Sequence, residues 1–266
     1  MENTRISYIE AVKTMLRVVF ALTLRETTTR YGRYQIGYLW AFIEPIIFVA
    51  VLGFVYTYLK MKNVPGMPLV QFLMTGYIPF MLFRDIVTQT MMAIRPNLQL
   101  LYFPQVQVFD LGMARTLLEF ATFMIVFPLM TFLISFLGIE PVIVEDPLRL
   151  LLAFSMIVAF AYGIGTALSA LIPLFPSLQI LFQMIVLRPL LFLSGVFYTV
   201  KMLPEEAQPY MALNPLLQLI ELVRSAYFPE YESSYIHYPY LTGVILLSVL
   251  GGLLIQRALR RHAFRI

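Results

Sequence analysis

Six stretches of about 20 or more mostly apolar residues, at 36–59, 69–94, 117–138, 148–172, 178–200 and 238–256, leave this chain few ways to fold. Hydrocarbon offers no water to unpaired backbone groups, so segments of this length are predicted to cross a membrane as helices. With 60% hydrophobic residues, 13% charged and a mean hydropathy of +0.80, little sequence remains for a soluble domain. The predicted class is an all-α polytopic membrane protein with one domain over 1–266. Within it, 1–35 is an inner interfacial segment, 36–200 carries five spans, 201–237 forms outer short helices, and 238–266 is the last span with a basic tail.

An even number of spans puts both termini on one side, and Lys/Arg bias decides which. Twelve of the 19 basic residues fall on the side of the termini: Arg5, Lys13, Arg17, Arg25, Arg30, Arg33, Arg95, Arg115, Arg257, Arg260, Arg261 and Arg265. Five fall opposite, and Arg84 and Arg188 lie within spans. Both termini are therefore predicted to be cytoplasmic. The net charge of +4 follows from this topology, and no basic domain is present to bind nucleic acid. There is no cysteine, and His237 and His262 are too far apart for a metal pair, so no metal site is expected. No cleavable signal peptide is expected, because Glu10, Lys13 and Arg17 interrupt the apolar core of one. Residues 5–24 are predicted to form an amphipathic helix on the inner leaflet, with Ile9, Val12, Leu16, Val19 and Phe20 on its apolar side.

The connections are unequal. In the inner loop 95–116, Asn97 is expected to cap a stub ending near Phe103, before Pro104, that exposes Leu98, Leu101 and Tyr102 as a docking surface or an ordinary interfacial loop. Pro173–Pro176 is a tight turn. Outside, Pro204 is expected to open one short helix, and Asn214 with Pro215 another that ends near Phe228. The second is too short to span, so it is expected to dip into or rest on the outer leaflet, with Glu221 and Arg224 paired along one edge.

Glu44, Arg84, Asp85, Glu119 and Arg188 fall in or near spans, where an unpaired charge costs about 2.5–3.5 kcal/mol at a helix centre. Arg84 and Asp85, as neighbours, are expected to point different ways and find other partners; Glu44 and Arg188 have suitable signs. Tyr31, Tyr38, Phe42, Val49 and Tyr56 share one face along the first span, and Tyr77, Phe80 and Phe83 do so in the second. Such faces suit a sugar chain, whose CH-rich faces pack on rings, but lipid or helix contact explains the same pattern. No GxxxxGK[ST] motif occurs, so the chain has no P-loop of its own and no bound cofactor is expected. The glycines at 163 and 165 fit close helix packing.

Three segments carry a resemblance: ArgTyrGlyArgTyrGlnIleGlyTyrLeuTrpAlaPheIleGluPro at 30–45, ProGlnValGlnValPheAsp at 104–110, and the outer stretch 202–228 containing LeuAsnProLeuLeuGlnLeuIleGluLeuValArgSerAlaTyrPhe. On these the chain resembles permease subunits of type-2 ABC exporters, in the branch that exports capsular polysaccharide. Gln35 and Ile36 depart mildly from the usual pattern, which keeps Gly37.

The resemblance implies a homodimer of six-span subunits in the bacterial inner membrane, with two cytoplasmic ATPase subunits that bind ATP and Mg. It also implies a lipid-linked polysaccharide as cargo, a periplasmic adaptor and an outer-membrane channel. Carried onto this sequence, it makes Arg25, Glu26, Arg30, Arg33, Tyr34, Asn97, Leu98, Leu101 and Tyr102 the coupling residues. Tyr31, Tyr38, Phe42, Tyr56, Tyr77, Phe80, Phe83, Phe192 and Tyr198 would line the passage. Arg30, Arg33, Arg84 and Arg188 are expected to contact an anionic linker or lipid phosphate, because guanidinium binds such groups bidentately. Another lipid-linked glycan, such as O-antigen or teichoic acid, fits the same class. A secondary transporter would need an ion site and usually an internal repeat, and a membrane glycosyltransferase would need clustered carboxylates; neither pattern is visible.

Overall fold

The computed structural model describes residues 8–31, 35–59, 66–142 and 144–263, and among these the chain is all helical. Five helices are long and apolar enough to cross a membrane: α2 (Gln35–Tyr58, apolar from Leu39), α3 (Leu69–Met91), α4 (Val108–Phe136), α5 (Pro147–Leu171) and α10 (Tyr238–Ala263). α1 (Tyr8–Tyr31) precedes them, and α6 (Ser177–Leu181), α7 (Arg188–Leu193), α8 (Gln208–Met211) and α9 (Pro215–Tyr227) lie between α5 and α10.

The stretch predicted as a single span at 178–200 is broken and shorter. A π-helical segment, Phe182–Leu187, joins α6 to α7, and helix ends at Leu193. Pro189 accounts for the break: it has no N–H to give, its ring crowds the preceding turn, and the Arg188 N–H reaches back five residues to Gln183 O. The 17 apolar residues Ser177–Leu193 extend about 26 Å, short of the hydrocarbon thickness of about 30 Å. The span predicted at 117–138 instead begins at Val108, so the inner end of α4 absorbs part of the predicted loop. α1 likewise runs seven residues past the predicted 24.

α3 is the axis of the molecule. Leu73, Met74, Ile78, Met81, Leu82 and Ile86 are all fully enclosed, by α4 and α5 and, at the outer end, by α9. Its N-terminus lacks a cap of its own, and the Glu140 carboxylate from the α4–α5 connection supplies one, accepting from Val70 N at 3.0 Å and Gln71 N at 3.1 Å. α1 packs Val19 and Leu22 on Ala93, Leu111 and Ala114 at the inner end of this core. A flanking stripe, Ile9, Val12, Leu16, Phe20 and Leu24, stays exposed at helical spacing, whereas Val19, expected on the same apolar side, turns into the protein because α4 packs there.

α10 is fixed to α5 by backbone contact. A Cβ on Gly163 would sit 2.5 Å from the Ser248 carbonyl carbon, and one on Gly252 would sit 2.4 Å from Gly163 O. These glycines let two apolar helices meet where van der Waals packing, rather than the hydrophobic effect, supplies the attraction.

The outer region differs from expectation. α9 does not rest on a leaflet, because every residue from Leu216 to Tyr227 is buried within the protein. Asn214 caps it as predicted, its Oδ1 accepting from Leu216 N at 3.0 Å, whereas the helix expected at Pro204 starts only at Gln208. Arg224 is entirely enclosed. Its Nη1 donates to Gly195 O (2.6 Å) and Tyr198 O (2.9 Å) and its Nη2 to Val196 O (3.0 Å), while the Phe72 ring centroid lies 4.2 Å from Cζ. Glu221 Oε1 stands 3.7 Å from Nη1, and Tyr231 donates to the other carboxylate oxygen. The Glu221–Arg224 pair is thus internal rather than on an exposed edge. Gly195, at φ +72°, lets the chain turn so that three consecutive-region carbonyls face one guanidinium. Gly76 of α3 admits this group, since a Cβ there would meet Arg224 Nη2 and Val196 O, each at 2.7 Å. Burial pulls the Arg224 guanidinium below its usual value and Glu221 opposes that, but an arginine stays charged. Burial and the Glu221 carboxylate both push the Tyr231 phenol up, so it remains a hydrogen-bond donor.

Two outcomes are expected. Arg224→Met should cost about 3–5 kcal/mol, seen as a lower thermal midpoint in detergent, with Arg224→Met plus Glu221→Leu costing less than the sum of the two single changes. Gly252→Val should cost about 1–3 kcal/mol by forcing α10 from α5, whereas Gly243→Val, which meets nothing within 4 Å, should leave the midpoint unchanged.

Candidate functional site

At the inner end, a buried polar cluster joins four segments. Asn97 lies in a 3₁₀ stub, Arg95–Tyr102, that follows α3. It is not the cap that was expected: Ile94 occupies that position, Pro96 starts the turn, and the Asn97 side chain points into the protein. Its Oδ1 accepts from Arg25 Nη1 at 2.7 Å, and its Nδ2 donates to Glu26 Oε1 at 3.1 Å and to Ala93 O at 3.0 Å. Arg115 of α4 completes the cluster, with Nε 3.2 Å from Glu26 Oε1 and Nη1 2.9 Å from Gln89 O. Removing any one partner would leave a buried polar group unmatched, so α1, the stub and the inner ends of α3 and α4 are held as one body.

This cluster sorts the predicted coupling residues. Glu26 and Asn97 are inside it, Leu101 packs half-buried below, and Arg25 anchors it from the surface. Leu98 faces out, with Tyr102 (84% exposed) and Phe103 (61%), so a bulky apolar ridge projects from a rigid base. Arg33 and Tyr34 lie outside the described residues, as do the side chains of Arg30, Tyr31 and Tyr38.

Half-way along α3, Arg84 holds two carboxylates: Nη1 is 3.0 Å from Glu44 Oε1 of α2, and Nε is 2.7 Å from Asp85 Oδ1. The expectation that Arg84 and Asp85 point different ways fails because the long arginine side chain bends back to its neighbour. An anion approaching Arg84 would meet two carboxylates first, which disfavours the anion-contact role expected of it. Arg188, at the junction of the π segment and α7, is exposed and makes no ion pair among the described residues. Of the described arginines named for that role, it alone is open to an anion.

The aromatic faces also divide. Tyr77, Phe80 and Phe83 are at most 4% exposed, and Phe83 stacks on Phe160 at 5.5 Å, so these rings serve the core. Phe42 and Tyr56 are half-buried along α2, Tyr198 is half-buried beyond α7, and Phe192 is exposed. Two rings missed in the sequence connect Tyr77 to Phe192. Phe48 stacks on Tyr77 with centroids 3.4 Å apart and stands 6.4 Å from Phe197, which is 5.4 Å from Phe192. A ladder of rings therefore leads from Tyr77 in the core, through Phe48 of α2, to the exposed Phe192 of α7. Phe48 was hidden because it lies off the stripe counted along α2, and Phe197 because its position depends on the turn at Gly195.

Residues 17–228 match the ABC-2 type transporter family. The chain is 32% identical over 239 residues to the polysialic acid transport protein KpsM of Escherichia coli, covering 90% of this chain and 92% of that one. It is 33% identical over 254 residues to the capsule polysaccharide export inner-membrane protein CtrC of Neisseria meningitidis serogroup A, covering 95% and 94%. To the capsule polysaccharide export inner-membrane protein BexB of Haemophilus influenzae it is 29% identical over 246 residues, covering 91% and 90%. With most of its length matched and five spanning helices built around α3, the chain is a multi-pass inner-membrane protein and belongs to the ABC-2 type transporter family.

Proposed function

We propose that the chain is the permease subunit of an ATP-driven exporter that moves lipid-linked capsular polysaccharide across the inner membrane. The observation that carries this reading is similarity along nearly the whole chain to proteins named for capsule polysaccharide export and for polysialic acid transport. In this reading, which the lack of a P-loop in the sequence supports, ATP and Mg bind to separate cytoplasmic ATPase subunits, two per homodimer. The single domain then has six crossings, with Ser177–Leu193 as a short, broken fifth, both termini inside, and α8 and the enclosed α9 as re-entrant helices on the outer side. Beyond the membrane the cargo passes to a periplasmic adaptor and an outer-membrane channel.

In this reading the exposed ridge of Leu98, Tyr102 and Phe103 receives the ATPase, and the buried Arg25–Asn97–Glu26–Arg115 cluster passes its movement to α3 and α4 as a rigid unit. The open side between α2 and α7, with Phe42, Tyr56, Phe192 and Tyr198, offers rings to the glycan, and Arg188 offers a cation to its anionic linker.

Co-expression with its cognate ATPase subunit should yield a stable complex whose ATP hydrolysis is stimulated by a lipid-linked capsular glycan. No stimulation by that glycan, with stimulation by a lipid-linked O-antigen instead, would overturn the cargo assignment. Tyr102→Ala with Phe103→Ala should abolish ATPase retention on purification while leaving the permease folded. Asn97→Ala should keep the ATPase bound but lower export, because it breaks the cluster behind the ridge; unchanged export would remove the cluster from the coupling path.

A further inference from the structure

The inner ends of α4 and α10 diverge and leave an open groove of about 450 Å³, lined by Gln107, Val108, Phe109, Leu253, Gln256 and Arg257. Its polar lining is two amides and one guanidinium, with no carboxylate. The acid of the adjacent turn, Asp110, is turned away: it is 3% exposed and accepts from the Gln107 N–H at 2.8 Å. Arg257 is exposed and makes no ion pair among the described residues. The groove is therefore positive and rich in donors, which suits a phosphodiester.

What adjoins the groove specifies the rest of the ligand. Leu254, Leu250 and Leu246 follow one another at four-residue spacing up α10 from Arg257, beside Leu247, and each is 57–75% exposed. From Arg257 to Leu246 the helix rises about 16 Å, close to half of the hydrocarbon thickness of about 30 Å. A polar pocket at the membrane surface, continued by an apolar track one leaflet long, has the dimensions of one lipid molecule. A free phosphate would use the pocket and leave the track without a purpose.

We propose that this groove holds one anionic phospholipid of the inner leaflet, its phosphate on Arg257, Gln256 and Gln107 and an acyl chain along Leu254, Leu250 and Leu246. Seated there, the lipid fills the gap that α10, held to α5 alone over most of its length, leaves beside α4. Assignment to the inner leaflet rests on the topology proposed above; the preference for an anionic headgroup does not.

The test is native mass spectrometry of the purified transporter titrated with phosphatidylglycerol, phosphatidylcholine or inorganic phosphate. Phosphatidylglycerol should be retained about tenfold better than phosphatidylcholine, a difference of about 1.4 kcal/mol, because both lipids offer a phosphodiester but the choline cation meets Arg257 in a groove with no carboxylate to pair it. Arg257→Gln should erase the preference, and Gln256→Glu, which places a carboxylate in the groove without touching the core, should reverse it. Equal retention of both lipids, preference unchanged in both variants, or displacement of phosphatidylglycerol by millimolar inorganic phosphate would each overturn the proposal. Since the readout is lipid retention, a failed export assay would leave it standing.

Discussion

A single enclosed guanidinium holds the half of this protein around α9 together. Arg224 gathers three carbonyls from the turn after α7, faces Glu221 on its own helix and lies against Phe72 of α3, so α9, the broken helix and the central helix meet at one charge. The attraction of the pair alone would barely offset the cost of removing both ions from water. What makes the arrangement worthwhile is the backbone: a turn inside a membrane protein exposes carbonyls that lipid cannot satisfy, and an arginine can satisfy several at once. Gly76 and Gly195 are the conditions for it, one by leaving space on α3 and the other by allowing the turn.

The other half, around α1 and the stub after α3, uses the same economy with different parts. There an amide, Asn97, is the centre, since it alone can accept from Arg25 and donate to both Glu26 and Ala93 O. The consequence is mechanical. A surface ridge backed by a satisfied polar cluster moves as a block, because separating any member of the cluster would strand a buried polar group. Between these two ends, α3 runs through an apolar core interrupted by one ion cluster, Glu44–Arg84–Asp85, at the side facing α2.

Much of the fold was legible in the sequence, and the reasons are local. Spanning segments are recognised by summed hydropathy, so α2, α3, α5 and α10 begin within about three residues of expectation. α9 was placed correctly by Asn214 and Pro215, whose capping chemistry acts within one turn. The break at Phe182–Leu187 was missed because its cause, Pro189, sits inside a mostly apolar run whose summed hydropathy one proline does not divide. Asn97 was taken as a cap because capping residues and buried hubs use the same side chain, and only its neighbours distinguish them. The rings of Tyr77, Phe80 and Phe83 had the spacing of a lining, but a stripe on a helix points equally well at a core.

By itself the sequence determined that the chain lives in a membrane, how its segments are punctuated and that it carries no P-loop, since each of these depends on residues next to one another. The resemblance of three of its segments determined where to look for a partner. Only the tertiary structure decided which charges pair and which rings are open. Glu44 and Arg84 are 40 residues apart, Glu26 and Arg115 are 89 apart, and Arg224 reaches back 29 residues to Gly195. The energy of a buried ion falls or rises with contacts of that range, and a linear sequence does not contain the distances that set it.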